Sequence, residues 1–226
     1  MEQIEKNTVK AENQLKRNQY ITYINPNGKG KRFLVVGNSI TRHGVKHDIG
    51  WHNDWGMAAS EMERDYVHIL YRALCERYPD AVMCITQVAT WEREFKNGTA
   101  VLPTFDEARA FGADTLVMRL VENCPNNAED TPLFKEKYVE FIRYLQGDTV
   151  TQTLVTTGFW RHRLDEGIRE CAAENGYTLV ELGDLGEDTS MKAIGLFEHE
   201  GVANHPGDKG MQAIADRVLA ALTKKE

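Results

Sequence analysis

Cysteine is sparse and unpatterned in this chain. The four residues Cys75, Cys84, Cys124 and Cys171 form no C-x-x-C pair. That argues against a zinc ribbon, a thioredoxin-type redox centre or a disulfide-built scaffold, and predicts reduced, buried thiols. No run of 18 apolar residues occurs, so no bilayer-spanning helix is expected. Residues 1–20 carry Glu2, Lys6, Lys10 and Arg17 without an apolar h-region, which excludes a secretory signal there and predicts a cytoplasmic protein. Positive charge is in deficit: Lys+Arg number 27 against 34 Asp+Glu, a net −7. Such a chain is a poor partner for nucleic acid or an anionic membrane. G-x-G-x-x-G and H-E-x-x-H are both absent, so neither a dinucleotide site nor a zinc-protease helix is expected, and no cofactor is implied.

The remaining composition is that of an ordinary globular protein, with 42% hydrophobic residues, 18 glycines and six prolines. The length, 226 residues, makes one domain the default. Residues 1–30 read as an extension: a polar helical start, then Ile21 to Ile24, then the turn residues Asn25-Pro26-Asn27-Gly28. From residue 31 to 226 the chain alternates. Phe33–Val36, Ala81–Val88, Thr115–Leu120, Val150–Thr156 and Tyr177–Leu182 read as strands. Helices are predicted over Ser60–Arg77, Phe105–Phe111, Pro132–Leu145, Leu164–Asn175 and Lys209–Leu222. Ser60 with Glu63 fits a capping box, and Gly176 fits a left-handed C-cap. This alternation predicts an α/β fold, a three-layer α/β/α sandwich on a five-stranded parallel sheet of the flavodoxin-like kind. Ligands in such folds bind beyond the carboxyl ends of the strands.

Chemistry is concentrated at those ends. Strand one runs into Gly37-Asn38-Ser39-Ile40, where the glycine permits a sharp turn and the serine is presented above the sheet. Asn123 follows strand three, where a side-chain amide can donate to an oxyanion. His205 precedes Pro206-Gly207 at the mouth of the last helix, and its imidazole can take a serine proton. Gly56 lies in a loop between Trp51, Trp55 and Met57, where a backbone N–H can approach a ligand. Together these supply a nucleophile, oxyanion donors and a base. A competing metal constellation is His43, His47 and His52 with Asp48 and Asp54. Only His43 and His47 have i, i+4 spacing, and Gly44 and Gly50 disfavour a helix there. These histidines are alternatively expected to line a substrate cleft.

Over about residues 31–222 the sequence resembles the SGNH hydrolases, the GDSL-like esterases. Gly37-Asn38-Ser39-Ile40 looks like the first block of that family, with Asn38 in place of the usual Asp. Gly56 looks like the second-block glycine, Asn123 the third-block asparagine and His205 the fifth-block histidine. The resemblance implies Ser39 as nucleophile, the N–H groups of Ser39 and Gly56 with the Asn123 side chain as oxyanion hole, and His205 as base. The family places Asp three residues before the histidine; Val202 stands there. Glu200, Glu198 or a backbone carbonyl is then left to orient the ring. Implied substrates are short-chain esters, acetyl first, and in particular acetylated carbohydrates, with Trp51, Trp55, Trp91 and Trp160 as candidate stacking surfaces. Competing outcomes are a thioesterase or acyltransferase at the same site, or a non-catalytic binding module on the same fold.

Overall fold

The computed structural model describes residues 20–223. The polar helical start expected over residues 1–19 lies outside them. The sheet has six strands: β1 Ile21–Ile24, β2 Arg32–Gly37, β3 Val82–Gln87, β4 Thr115–Arg119, β5 Gln152–Thr156 and β6 Thr178–Val180; the continuous apolar runs β2 to β5 are buried on both faces, and β1 and β6 at the edges are half-buried. In β2 the side chains alternate. Leu34 and Val36 join one apolar cluster, and Phe33 and Val35 join the other.

The sheet order is β1-β3-β2-β4-β5-β6. All pairings from β3 to β6 are parallel, while β1 runs antiparallel on β3, with Ile21 opposite Thr86 and Ile24 opposite Met83. The five parallel strands are the expected ones, in flavodoxin-like order. The sheet has a sixth strand because part of the segment read as an extension adds to the β3 edge.

Helices cover both faces. α1 (Tyr66–Arg77) and α7 (Asp208–Thr223) pack on one, through Tyr66, Leu70, Leu74, Ile214 and Val218. The other carries α2 (Ala89–Glu94), α3 (Asp106–Ala110), α4 (Thr131–Gln146) and α5 (Asp165–Asn175). There an aromatic core forms, in which Trp91 stacks on Phe141 with ring centroids 4.7 Å apart. A short helix, α6 (Glu200–Ala203), precedes α7. Gly176 ends α5 in the left-handed conformation, as expected.

The expected capping box at Ser60 does not form. Asp65 caps α1, its side chain accepting from the His68 N–H at 2.8 Å. Ser60 donates instead to Asp208, through both its N–H (2.9 Å) and its hydroxyl (2.7 Å). Among the described residues no helix is long and apolar enough to cross a membrane.

The strand order reverses at β2: the chain leaves it toward β3 on one side and returns to β4 on the other. The crevice at such a switch point is where α/β sheets bind ligands, and β2 ends at Gly37, two residues before Ser39.

Candidate active site

The turn after β2 is tight because residue 37 has no Cβ. A Cβ there would fall 2.5 Å from the Arg119 carbonyl oxygen. The chain reverses through Thr41 and Arg42 N–H groups donating to the Asn38 carbonyl, at 2.9 and 3.0 Å. This lifts Ser39 to the rim while Asn38 is fully buried.

Ser39 Oγ lies 2.8 Å from His205 Nε2, and His205 Nδ1 lies 2.7 Å from the Gly201 carbonyl oxygen. A carbonyl only accepts, so Nδ1 carries the ring proton, and Nε2 is the acceptor facing the serine hydroxyl. The carbonyl therefore does the orienting. Glu198 and Glu200 are both exposed, and Val202 is buried in a small apolar cluster with Trp51, Met57, Ala58 and Ala193. Burial pushes the His205 pKa down to about 4, against the Gly201 hydrogen bond that favours the charged ring. The ring is thus an uncharged base at neutral pH. The indole of Trp160 stands edge-on to it, with centroids 5.4 Å apart.

Beneath Ser39 lies a network that the sequence did not disclose. Asn38 Nδ2 donates to Glu92 Oε1 (2.9 Å) and to Glu122 Oε2 (2.5 Å), and Asn38 Oδ1 accepts from Arg119 Nη1 (2.7 Å). Arg119 also pairs with Glu122. Glu92, Asn38 and Arg119 are fully buried. Burial works to raise the Glu122 carboxyl, but the Arg119 guanidinium holds it below the usual carboxylate range. Burial and the neighbouring Glu122 charge raise Glu92. The asparagine at position 38 now has a reason: both its amide hydrogens are spent on carboxylates, a service aspartate cannot perform.

Glu92 also organises the chain after β4. It accepts from the Val121 N–H (2.6 Å) and from Asn123 Nδ2 (2.7 Å). Val121 has φ 145°, a conformation that a β-branched residue rarely adopts and that costs about 1–3 kcal/mol. That kink directs Glu122 into the network and brings Asn123 to Glu92. Arg93 Nη2 contacts Asn123 Oδ1 at 3.5 Å.

Of the four expected site residues, Ser39 and His205 meet directly, and Asn123 is linked to Ser39 through Glu92 and Asn38. Gly56 departs from expectation. Its N–H donates to the buried Asp65 carboxylate at 3.1 Å, so it is committed away from a substrate oxyanion. The glycine is needed for packing, because a Cβ would fall 2.7 Å from the Ile40 carbonyl oxygen. Its neighbour Met57 donates its N–H to the Ser39 carbonyl at 2.9 Å.

The three early histidines do not converge on one point. His43 Nδ1 faces the Gly44 carbonyl, whereas His47 and His52 face each other, Nδ1 to Nδ1 at 2.7 Å. Trp51 and Trp91 are fully buried core residues and offer no stacking surface; Trp55 and Trp160 are partly exposed. Arg161 pairs with Glu187. Of two similar surface cavities, one of about 670 Å³ is lined by α4 and α5 alone. The other, about 640 Å³, is bounded by the loops that lead to Ser39 and His205.

No family model matches the sequence, and no curated protein does. Among solved structures the fold is similar to a two-domain esterase (CEX) active on acetylated mannans, co-crystallised with mannopentaose. The TM-score is 0.56 at 16% identity, covering 86% of this chain and 50% of that one. A second structure of such an esterase aligns with TM-score 0.54 at 14% identity, covering 86% of this chain and 48% of the other. The chain spans about half the length of those esterases, and the likeness is one of fold.

Proposed function

We propose that this protein is a serine esterase of the SGNH type that removes short acyl groups, acetyl first, from carbohydrate esters. The observation that carries the proposal is the Ser39 hydroxyl 2.8 Å from a His205 nitrogen whose tautomer the Gly201 carbonyl fixes, at the point where the strand order reverses. The structural neighbours are esterases active on acetylated mannans, one of them co-crystallised with mannopentaose, which supports a glycan as the alcohol.

In the first half-reaction His205 Nε2 takes the Ser39 proton as Oγ bonds to the ester carbonyl carbon. The resulting oxyanion is met by the Ser39 N–H and by the Asn123 amide hydrogen not used on Glu92. The C–O bond to the sugar then breaks, and His205 returns its proton to the departing alkoxide. Water repeats the sequence on the acyl-enzyme: His205 takes its proton, carboxylate forms, and Ser39 regains its hydrogen. A carbonyl in place of the usual carboxylate keeps the tautomer but gives the transient imidazolium no full negative charge beside it. Trp160, edge-on to His205 with ring centroids 5.4 Å apart, is the partly exposed aromatic at the base.

The test is hydrolysis of p-nitrophenyl acetate, butyrate and octanoate by the native protein and Ser39→Ala, with fluorophosphonate labelling read by intact mass. Labelling at Ser39, preference for acetate and a loss of about 10⁴-fold or more in kcat for the variant are expected. Turnover independent of Ser39 would overturn the assignment.

A further inference from the structure

The cavity of about 640 Å³ beside the catalytic loops has walls that no catalytic step uses: His47, Asp48, His52, Phe197, Glu198 and His199 contribute to them. Its volume falls within the few hundred to about 1,000 Å³ of small-molecule sites. Neither Ser39 nor His205 lines it, but along the chain each wall continues into the segment that holds one of them. The first runs on to Met57, whose N–H donates to the Ser39 carbonyl at 2.9 Å. The second leads into α6, which presents the Gly201 carbonyl to His205, and Ala193 donates its N–H to the His205 carbonyl at 2.9 Å. Between the loops, Trp51, Met57, Ala58, Ala193 and Val202 form a dry cluster, and Phe197 packs on it. Ile49 and Phe197, which line the cavity, rest on that cluster, whereas His47, His52, Glu198 and His199 are exposed.

The lining decides what fits. The Glu198 carboxylate disfavours an anion, and the Asp48 carboxylate is paired with Lys46 at 2.6 Å. His47 and His52 approach to 2.7 Å between Nδ1 atoms, a hydrogen bond; two nitrogens on one tetrahedral ion with bonds of about 2.0–2.1 Å sit roughly 3.3 Å apart. Among the described residues no group of three or more His, Cys, Asp or Glu has an arrangement that could hold a metal ion. The polar walls leave an alkyl chain without an apolar tunnel. What remains complementary is an uncharged polyol with one apolar face: carboxylates accept from hydroxyls, imidazole N–H groups donate to them, and Phe197 with the exposed Leu196 meets ring C–H groups.

We infer that this cavity is a glycan subsite, holding a sugar ring of the alcohol while its neighbouring ester lies at Ser39. The inference rests on the esterase assignment above. The experiment compares the native protein with the double variant Glu198→Ala/His52→Ala on p-nitrophenyl acetate and on a partially acetylated oligosaccharide. The ratio of kcat/KM on the oligosaccharide to that on p-nitrophenyl acetate is expected to fall about tenfold, through KM. An unchanged ratio, with Ser39-dependent turnover intact, would overturn the subsite and leave the esterase standing. If Ser39-dependent turnover is itself missing, titration of Ser39→Ala protein with the deacetylated oligosaccharide decides the subsite alone. Binding that weakens in the double variant supports it, and no binding overturns it.

Discussion

The two members of the proposed catalytic pair, Ser39 and His205, are held by different physics. Ser39 stands on buried charge: Asn38, Glu92, Arg119 and Glu122 tie together the ends of β2 and β4 and the helix after β3. His205 stands on loops, an apolar cluster and one carbonyl. The difference explains two departures from the SGNH pattern in opposite ways. At position 38 the usual carboxylate is missing because two others already crowd the site. At position 202 it is missing because the side chain faces a dry cluster, and the backbone has taken over its duty.

Introducing the residue of the SGNH pattern on each side separates the two mechanisms. The largest effect is expected for Asn38→Asp, which places a third carboxylate against Glu92 and Glu122 with one guanidinium to serve all three. A loss of about 3–5 kcal/mol is expected in denaturant unfolding. Asn123→Ala follows, with a fall of about 10²–10³ in kcat on p-nitrophenyl acetate and little change in KM. A drop confined to KM would remove Asn123 from the oxyanion hole.

Val202→Asp comes next. Its carboxyl would enter the Trp51–Ala193 cluster, so stability is expected to fall by about 1–3 kcal/mol with no gain in kcat. A rise in kcat would mean that a carboxylate can reach the ring after all. The smallest effect is a displacement along the pH axis. Burial holds the His205 pKa at about 4, so the acid limb of kcat/KM is expected near pH 4, well below the ordinary histidine value of about 6.5. The sign for stability agrees: between those values the unfolded chain binds more protons, so stability is lost as pH falls through the window. An acid limb at 6.5 would mean a solvated ring and a looser base than the serine's support.

Where information was local, it could be read from the chain. Five strands are legible because each is a short continuous apolar run. Ser39 and His205 are legible because Gly37 and Pro206 mark them. β1 is harder, since only Ile21 of its four residues is fully buried and no periodicity rises from that. Glu92 is hidden by its neighbours, because Glu92-Arg93-Glu94 looks like a solvated helix face. It is buried by partners 29 to 54 residues distant. Val202 in place of the usual Asp leaves a backbone carbonyl among the candidates to orient His205, but not which one, because a main-chain carbonyl belongs to every residue. Gly56 shows the reverse error: a glycine expected to approach a ligand approaches Ile40 instead.

β1 has a consequence for how molecules of this protein meet one another. All four of its residues pair with β3, and β3 lies next to β2, the strand that leads to Ser39. Without β1, the apolar β3 would present an open row of N–H and C=O groups, the template on which sheets of neighbouring molecules join. With it, the sheet edge among the described residues is four residues long, a short template. A strand that carries none of the proposed site residues thus covers the β3 edge, and a chain shortened to begin at β2 is expected to leave that edge open beside the strand that leads to Ser39.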